Sequence, residues 1–242
     1  MKILRFVVII FLSVIGISCS NKTYALKSPE SVIKNFVSCI KNGQIDNAIG
    51  LSPFNVDNFV EKINPKEELL YMNAILPMDS LIFPISSIRK YELLYRYVFQ
   101  IKYFVYSILL PEEFSGLIAL NLVTINDEEK VNRFISALNV QNLKSIELVR
   151  FDIFNPENQF SERGRKYIDI QKEIYGLDEK VDYTVLYKNN GKYYAGTMTL
   201  VKYGNNWYIL NLNSIYANWP SSGALETVSG VVDYLVKFDL KE

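Results

Sequence analysis

The sequence predicts an α+β domain with N-terminal helices packed on a curved antiparallel sheet and a helical middle insertion. Three observations carry that prediction. Apolar residues recur at helical spacing in the first half of the chain, as in Val32, Ile33, Phe36, Val37 and Ile40. After Leu143 the period switches to two, and Leu143 to Phe154 alternates. The C-terminal part then holds three strand-like runs separated by the turn signals Asn190-Gly191 and Gly204-Asn205-Asn206.

The chain begins with Lys2 and Arg5, an apolar run from Phe6 to Ile17, and the small-residue exit Gly16-Ile17-Ser18 directly before Cys19. That order is the layout of a bacterial export signal. The run is about 12 residues, well short of the ~20 a membrane-crossing helix needs, so residues 1–18 are expected to be a signal peptide that is removed. The junction Ile15-Gly16-Ile17-Ser18-Cys19 resembles the lipobox of bacterial lipoproteins. The resemblance implies a diacylglyceryl group on the Cys19 thiol, cleavage before Cys19 and acylation of the new amino group, palmitate being the natural label. Ordinary cleavage after Ser18 is the alternative, because Gly16-x-Ser18 also satisfies the small-x-small rule. Membrane lipid, through acylated Cys19, is thus an expected partner. The expected location is the cell envelope, on the outer membrane or the periplasmic face of the inner membrane. Residues 19–27 read as a lipidated tether.

Residues 28–242 read as one domain, with 55–125 as the insertion. Ser28 can cap a helix, Pro29 suits its first position, and Lys41-Asn42-Gly43 ends it. Cys39 lies on the apolar stripe of that helix, the place of a small buried residue. Gln44 to Leu51 reads as a second short helix. Ser87 to Leu110 keeps Leu94, Val98, Ile101, Val105 and Ile108 at helical spacing, with a strand pair as the alternative. Its charges make it a poor membrane span. Asp127 to Leu138 is amphipathic, with Asn126 or Asp127 as cap. In Leu143 to Phe154, Glu147, Val149, Phe151 and Ile153 share one face, and Arg150 and Asp152 share the other, where they can pair. Residues 157–180 are charged and read as a solvated loop or short helix.

Val181 to Lys188 and Tyr193 to Tyr203 form a hairpin that sets Tyr187 against Tyr194 and Tyr183 against Met198. A three-residue second turn would place Tyr208, Leu210 and Leu212 on the face of Tyr194, Met198 and Leu200. Leu225 to Val236 reads as a terminal helix. The Ser28–Ala48 segment and the Tyr183–Leu212 meander resemble the nuclear transport factor 2-like (cystatin-like cone) superfamily, especially its bacterial lipoprotein branches. The resemblance implies helices wrapping a cone-shaped sheet with a pocket at the open end, and it implies no particular activity.

Composition excludes more than it assigns. The chain has no histidine, which rules out Ser-His and Cys-His nucleophiles, His-ligated metals and the usual base near neutral pH. Loss of residues 1–18 removes Lys2 and Arg5 from the 26 basic residues and none of the 26 acidic ones, leaving a formal charge of −2. Such a balance offers no electrostatic grip on nucleic acid. No glycine-rich phosphate loop or cysteine-rich metal spacing occurs, so no cofactor is expected. Ser31-x-x-Lys34 and Ser87-x-x-Lys90 match a Ser-x-x-Lys pattern without its companion motifs. Glu112-Glu113 and Asp127-Glu128-Glu129 suit helix edges. The one constellation with ligand potential is the aromatic face Tyr183, Tyr187, Tyr194, Met198 and Tyr208, where ring area meets hydroxyls, though core filling is its commoner use. The expected function is therefore a non-catalytic module binding a small apolar ligand or an envelope protein. The alternative is a hydrolase or isomerase using a single carboxylate in the sheet pocket.

Overall fold

The computed structural model describes residues 26–56, 59, 86–109, 128–214 and 223–237. The expected signal peptide, Cys19, residues 20–25 of the tether, the caps Asn126 or Asp127, and most of 55–125 apart from 86–109 lie outside the described residues.

Helix α1 (Pro29–Lys41) begins at a reciprocal cap. Ser28 Oγ accepts from the Ser31 N–H and Ser31 Oγ accepts from the Ser28 N–H, both at 3.2 Å, so two otherwise orphaned donors are satisfied. The Ser31 hydroxyl also donates to the Ser28 carbonyl at 2.7 Å, and Lys34 pairs with Glu30. Both halves of the Ser31-x-x-Lys34 pattern are thereby occupied with local structure. Gly43, at φ 66°, takes the left-handed conformation that ends the helix. The apolar stripe is buried as expected, Cys39 completely. Helix α2 (Ile45–Gly50) and a 3₁₀ turn at Pro53–Asn55 follow.

Helix α3 (Ser86–Leu109) resolves the helix-or-strand alternative in favour of one long helix. Its buried side is Leu93, Tyr97, Ile101, Phe104 and Ile108, rotated from the expected stripe so that Val98 is 37% exposed. The rings decide the rotation. Phe104 meets Phe36 and Tyr187 nearly edge-on, with centroids 5.1 and 5.2 Å apart, an arrangement worth about 0.5–1.5 kcal/mol per pair beyond area burial. Gln100 and Ser107 are buried on this side too, and each has work to do. Gln100 Oε1 accepts from the Leu212 N–H at 2.9 Å, and Ser107 Oγ accepts from the Leu225 N–H at 3.0 Å. Among the described residues no helix is long and apolar enough to cross a membrane. Helix α4 (Glu128–Ala137) lies where the amphipathic pattern put it, followed by a 3₁₀ turn at Val140–Leu143.

The sheet contains β1 (Glu147–Ile153), β2 (Glu179–Asn189), β3 (Lys192–Tyr203), β4 (Asn206–Asn213) and the short β5 (Glu226–Val228). Its order is β1-β2-β3-β4, antiparallel throughout, with β5 pairing with the start of β3. Asn190 and Gly191, at φ 47° and 79°, form the two-residue hairpin turn. The register is the expected one, with Tyr187 opposite Tyr194 and Tyr183 opposite Met198.

Four expectations change. First, β1 carries a bulge between Leu148 and Arg150. The extra residue, Val149, turns outward to 40% exposure, and Leu148 joins Phe151 and Ile153 opposite Tyr187, Val185 and Tyr183. Second, the β3–β4 turn uses two residues, Gly204-Asn205, because Tyr203 pairs with Asn206. The Gly204 N–H donates to Asp178 Oδ2 at 2.6 Å, which fixes the tight turn. Tyr208 therefore opposes Val201 rather than joining Tyr194 and Met198, and a bulge further along returns Leu212 to Met198. Third, Glu226–Val228 is a strand, since Tyr193 to Ala195 extend beyond β4 and offer an open edge; helix α7 (Val231–Lys237) starts only afterwards. Fourth, the loop-or-short-helix alternative for 157–180 resolves to helix, longer than expected: residues 156–175 fold as a turn of helix, α5 (Pro156–Gln159), and a full helix, α6 (Glu162–Tyr175).

Two faces result. The front, with Val185, Tyr187, Tyr194, Met198 and Leu200, joins the large core under α1 and α3. On the back, Leu186 and Ala195 meet Val228, Tyr234 and Leu235 in a small second core. The register sets Arg150, Asp152, Lys180, Asp182 and Thr199 on that same back face.

Candidate functional site

The aromatic constellation expected from the sequence is divided. Tyr187, Tyr194 and Met198 are at most 2% exposed and lie in the main core. Burial raises the hydroxyl pKa of Tyr187 and of Tyr194. Tyr183 is half-buried at the margin, its ring 5.8 Å from Phe151. Tyr208 stands on the other face, 6.3 Å from the Tyr203 ring.

A cleft of about 710 Å³ opens instead on the back, between α5, α6 and the start of β2. Its walls follow from local sequence. Phe154 extends the β1 ladder by one bond, its N–H donating to the Asp182 carbonyl at 2.8 Å. Asn155 then turns the chain at φ 42° and caps α5, its Oδ1 accepting from the Asn158 N–H at 3.3 Å. Gln159 reaches back to the sheet. Its Oε1 accepts from the Asp182 N–H at 2.8 Å and its Nε2 donates to the Phe154 carbonyl at 3.2 Å. Ser161 Oγ accepts from the Gly164 N–H at 3.1 Å and starts α6. At Gly164 a Cβ atom would lie 2.1 Å from the Asn158 carbonyl oxygen, so only glycine lets α6 turn this closely off α5.

The inner end of the cleft is ionic. The Lys180 side chain is only 8% exposed; its Nζ lies 3.2 Å from Asp182 Oδ2 and 5.1 Å from the centre of the Tyr167 ring. Asp182 Oδ1 also accepts from Thr199 Oγ1 at 2.6 Å. Burial, then the Asp182 charge, raise the Tyr167 hydroxyl pKa. At the mouth, Arg163 and Lys166 line the cleft and make no hydrogen bond or ion pair with any described residue. Nearby, Arg150 Nε pairs with Asp152 Oδ2 at 2.7 Å, as its place on the strand suggested. Among the described residues no cluster of three or more His, Cys, Asp or Glu could hold a metal ion.

These residues escaped the sequence reading because half of α6 is charged, which hides its periodicity. Two signals were present: Asn155-Pro156 as a cap and first helical position, and Ser161 with Gly176 as the two ends of α6. Gly176 is left-handed at φ 58°.

No protein-family model and no curated protein matches the chain. Among solved structures, a cystatin-like protein from Ruminococcus gnavus ATCC 29149 superposes with a TM-score of 0.51 at 16% identity. The fold is cystatin-like. The match covers 87% of this chain and 43% of that one, so the chain spans under half of that protein's length. At this identity the cystatin-like likeness concerns architecture alone: helices laid on an antiparallel sheet that is curled but open.

Proposed function

We propose that this is a lipid-anchored protein of the cell envelope, tethered through acylated Cys19, whose cystatin-like body binds a ligand without transforming it. The observation that carries the binding reading is the state of the cleft's acid. Both oxygens of Asp182 are engaged, one by Thr199 and one by Lys180, and its backbone N–H is held by Gln159. A carboxylate committed in this way is part of the wall; a general base needs a free oxygen aimed at the substrate. The absence of histidine from the whole chain supports the same reading. Lipid anchoring is supported by the Ser18-Cys19 junction at the end of a short apolar run.

A protein partner is the second reading, favoured by Tyr91, Tyr95 and Phe99 on the outer side of α3, at 68, 71 and 37% exposure. Anchoring is tested by palmitate labelling with and without globomycin. Wild-type protein should incorporate label and accumulate as a precursor with the inhibitor, and Cys19→Ala should do neither. A mature product beginning beyond Cys19 would remove the anchor. The carboxylate-enzyme alternative predicts turnover that Asp182→Asn abolishes, whereas a binding role predicts none in either protein.

A further inference from the structure

The charges around the cleft do not balance. Arg163, Lys166 and Lys180 face one acid, Asp182, and that acid is already paired with Lys180. Arg163 and Lys166 are left with no partner among the described residues. Arg163 sits in the first turn of α6, where the positive end of the helix dipole disfavours a cation by a few tenths of a kcal/mol or more. Neighbouring Arg165 is satisfied differently, its Nε donating to the Phe160 carbonyl at 2.8 Å. No hydrogen bond or ion pair within the described residues engages the charges of Arg163 and Lys166, whereas an anion in the cleft would meet these two cations and a third, Lys180, held behind them. Phe154, Ile168 and Ile170 add apolar surface to the lining, and Asn155, Asn158 and Gln159 add amides. The volume falls within the roughly 300–1,000 Å³ of small-molecule sites.

We infer that this cleft binds a small molecule bearing a phosphate or carboxylate group, held by Arg163 and Lys166, with its carbon skeleton against Phe154 and Ile170. This deepens the binding reading above and rests on it. Arginine offers a planar fork to either anion, and lysine adds a point charge. The same group could come from a soluble metabolite or from a lipid headgroup.

The test is an NMR titration of the full chain in maltoside micelles with sodium phosphate, with citrate, and with N-acetylglucosamine as a neutral probe, at constant ionic strength. Phosphate or citrate should shift the amides of Asn155, Arg163, Lys166 and Tyr167 saturably. Affinity should fall at least about tenfold in Arg163→Gln/Lys166→Gln, with Lys34→Gln as an unchanged control. Both substituted side chains are exposed, so the fold should survive, which an unchanged spectrum elsewhere verifies. Equal anion affinity in the double variant, or no saturable response to either anion, overturns the proposal. If only the neutral probe shifts the cleft, the anion is wrong and the binding role stands; if none of the three does, both fall. Where phosphate binds, competition by phosphatidylglycerol but not by phosphatidylcholine, each mixed into the micelles, assigns the anion to a headgroup, and absence of competition assigns it to a soluble ligand.

Discussion

The two faces of the sheet are built from the same four strands and solve opposite problems. The front is closed by ring on ring: Phe36, Phe104 and Tyr187 form a perpendicular chain linking α1, α3 and β2. The back has a small apolar cluster around Leu186 and Ala195, and beside it charges that pair two residues apart along a single strand, Arg150 with Asp152 on β1 and Lys180 with Asp182 on β2. The difference teaches where specificity and stability reside. The ring-packed face holds the fold together; the polar face, under α6, carries an open cleft.

The contrast can be broken most forcefully with pH. Burial raises the hydroxyl pKa values of Tyr97 and Tyr187 on the front, so the folded state favours the neutral phenols. Stability is then complete below the usual tyrosine value of about 10 and falls as pH rises above it. Circular dichroism and tyrosinate absorbance should change together in that alkaline range, and ionisation of these tyrosines in a still-folded protein would contradict a sealed front. Next in size is Phe104→Ala, expected to cost about 3–5 kcal/mol in denaturant melts; a loss below about 1 kcal/mol would mean the front is not tightly packed. Gly164→Ala on the back should cost about 1–3 kcal/mol, because the added carbon meets backbone oxygens of both Asn158 and Gln159. Its signature would be faster amide exchange at Asp182, whose N–H depends on Gln159. The smallest effect belongs to Tyr95→Ser on the outer side of α3, within about 0.5 kcal/mol, because Tyr95 is 71% exposed.

What the sequence made legible follows the same division. Features fixed by local chemistry were readable: the Ser28 cap, the Asn190-Gly191 turn, and therefore the pairing of Tyr187 with Tyr194. Features decided by one residue more or less were not. Val149 reads as one step of an alternation until β2 imposes a bulge, and Gly204-Asn205-Asn206 reads equally as a three-residue turn until Tyr203 pairs with Asn206. That single residue moved Tyr208 off the face where a ligand was expected. The cleft was illegible for a different reason. Its members come from a helix dense in charge and from a strand, and Lys180 and Asp182, adjacent on one strand face, look like surface residues until α6 covers them. The rotation of α3 likewise depended on Phe36 and Tyr187, distant in sequence, offering ring partners to Phe104.

One contact at the margin of the sheet limits how the molecule can sit. The Leu26 carbonyl accepts from the Trp207 N–H at 2.6 Å, which pins the start of the described chain to the outer rim of β4. Were Cys19 acylated as proposed, the peptide units up to Leu26 could span at most about 25 Å, at roughly 3.3–3.6 Å per residue. That leash is short beside a body of this mass. The protein would roll against the bilayer without drifting from it, and the side it turns upward would be decided by where the leash is tied.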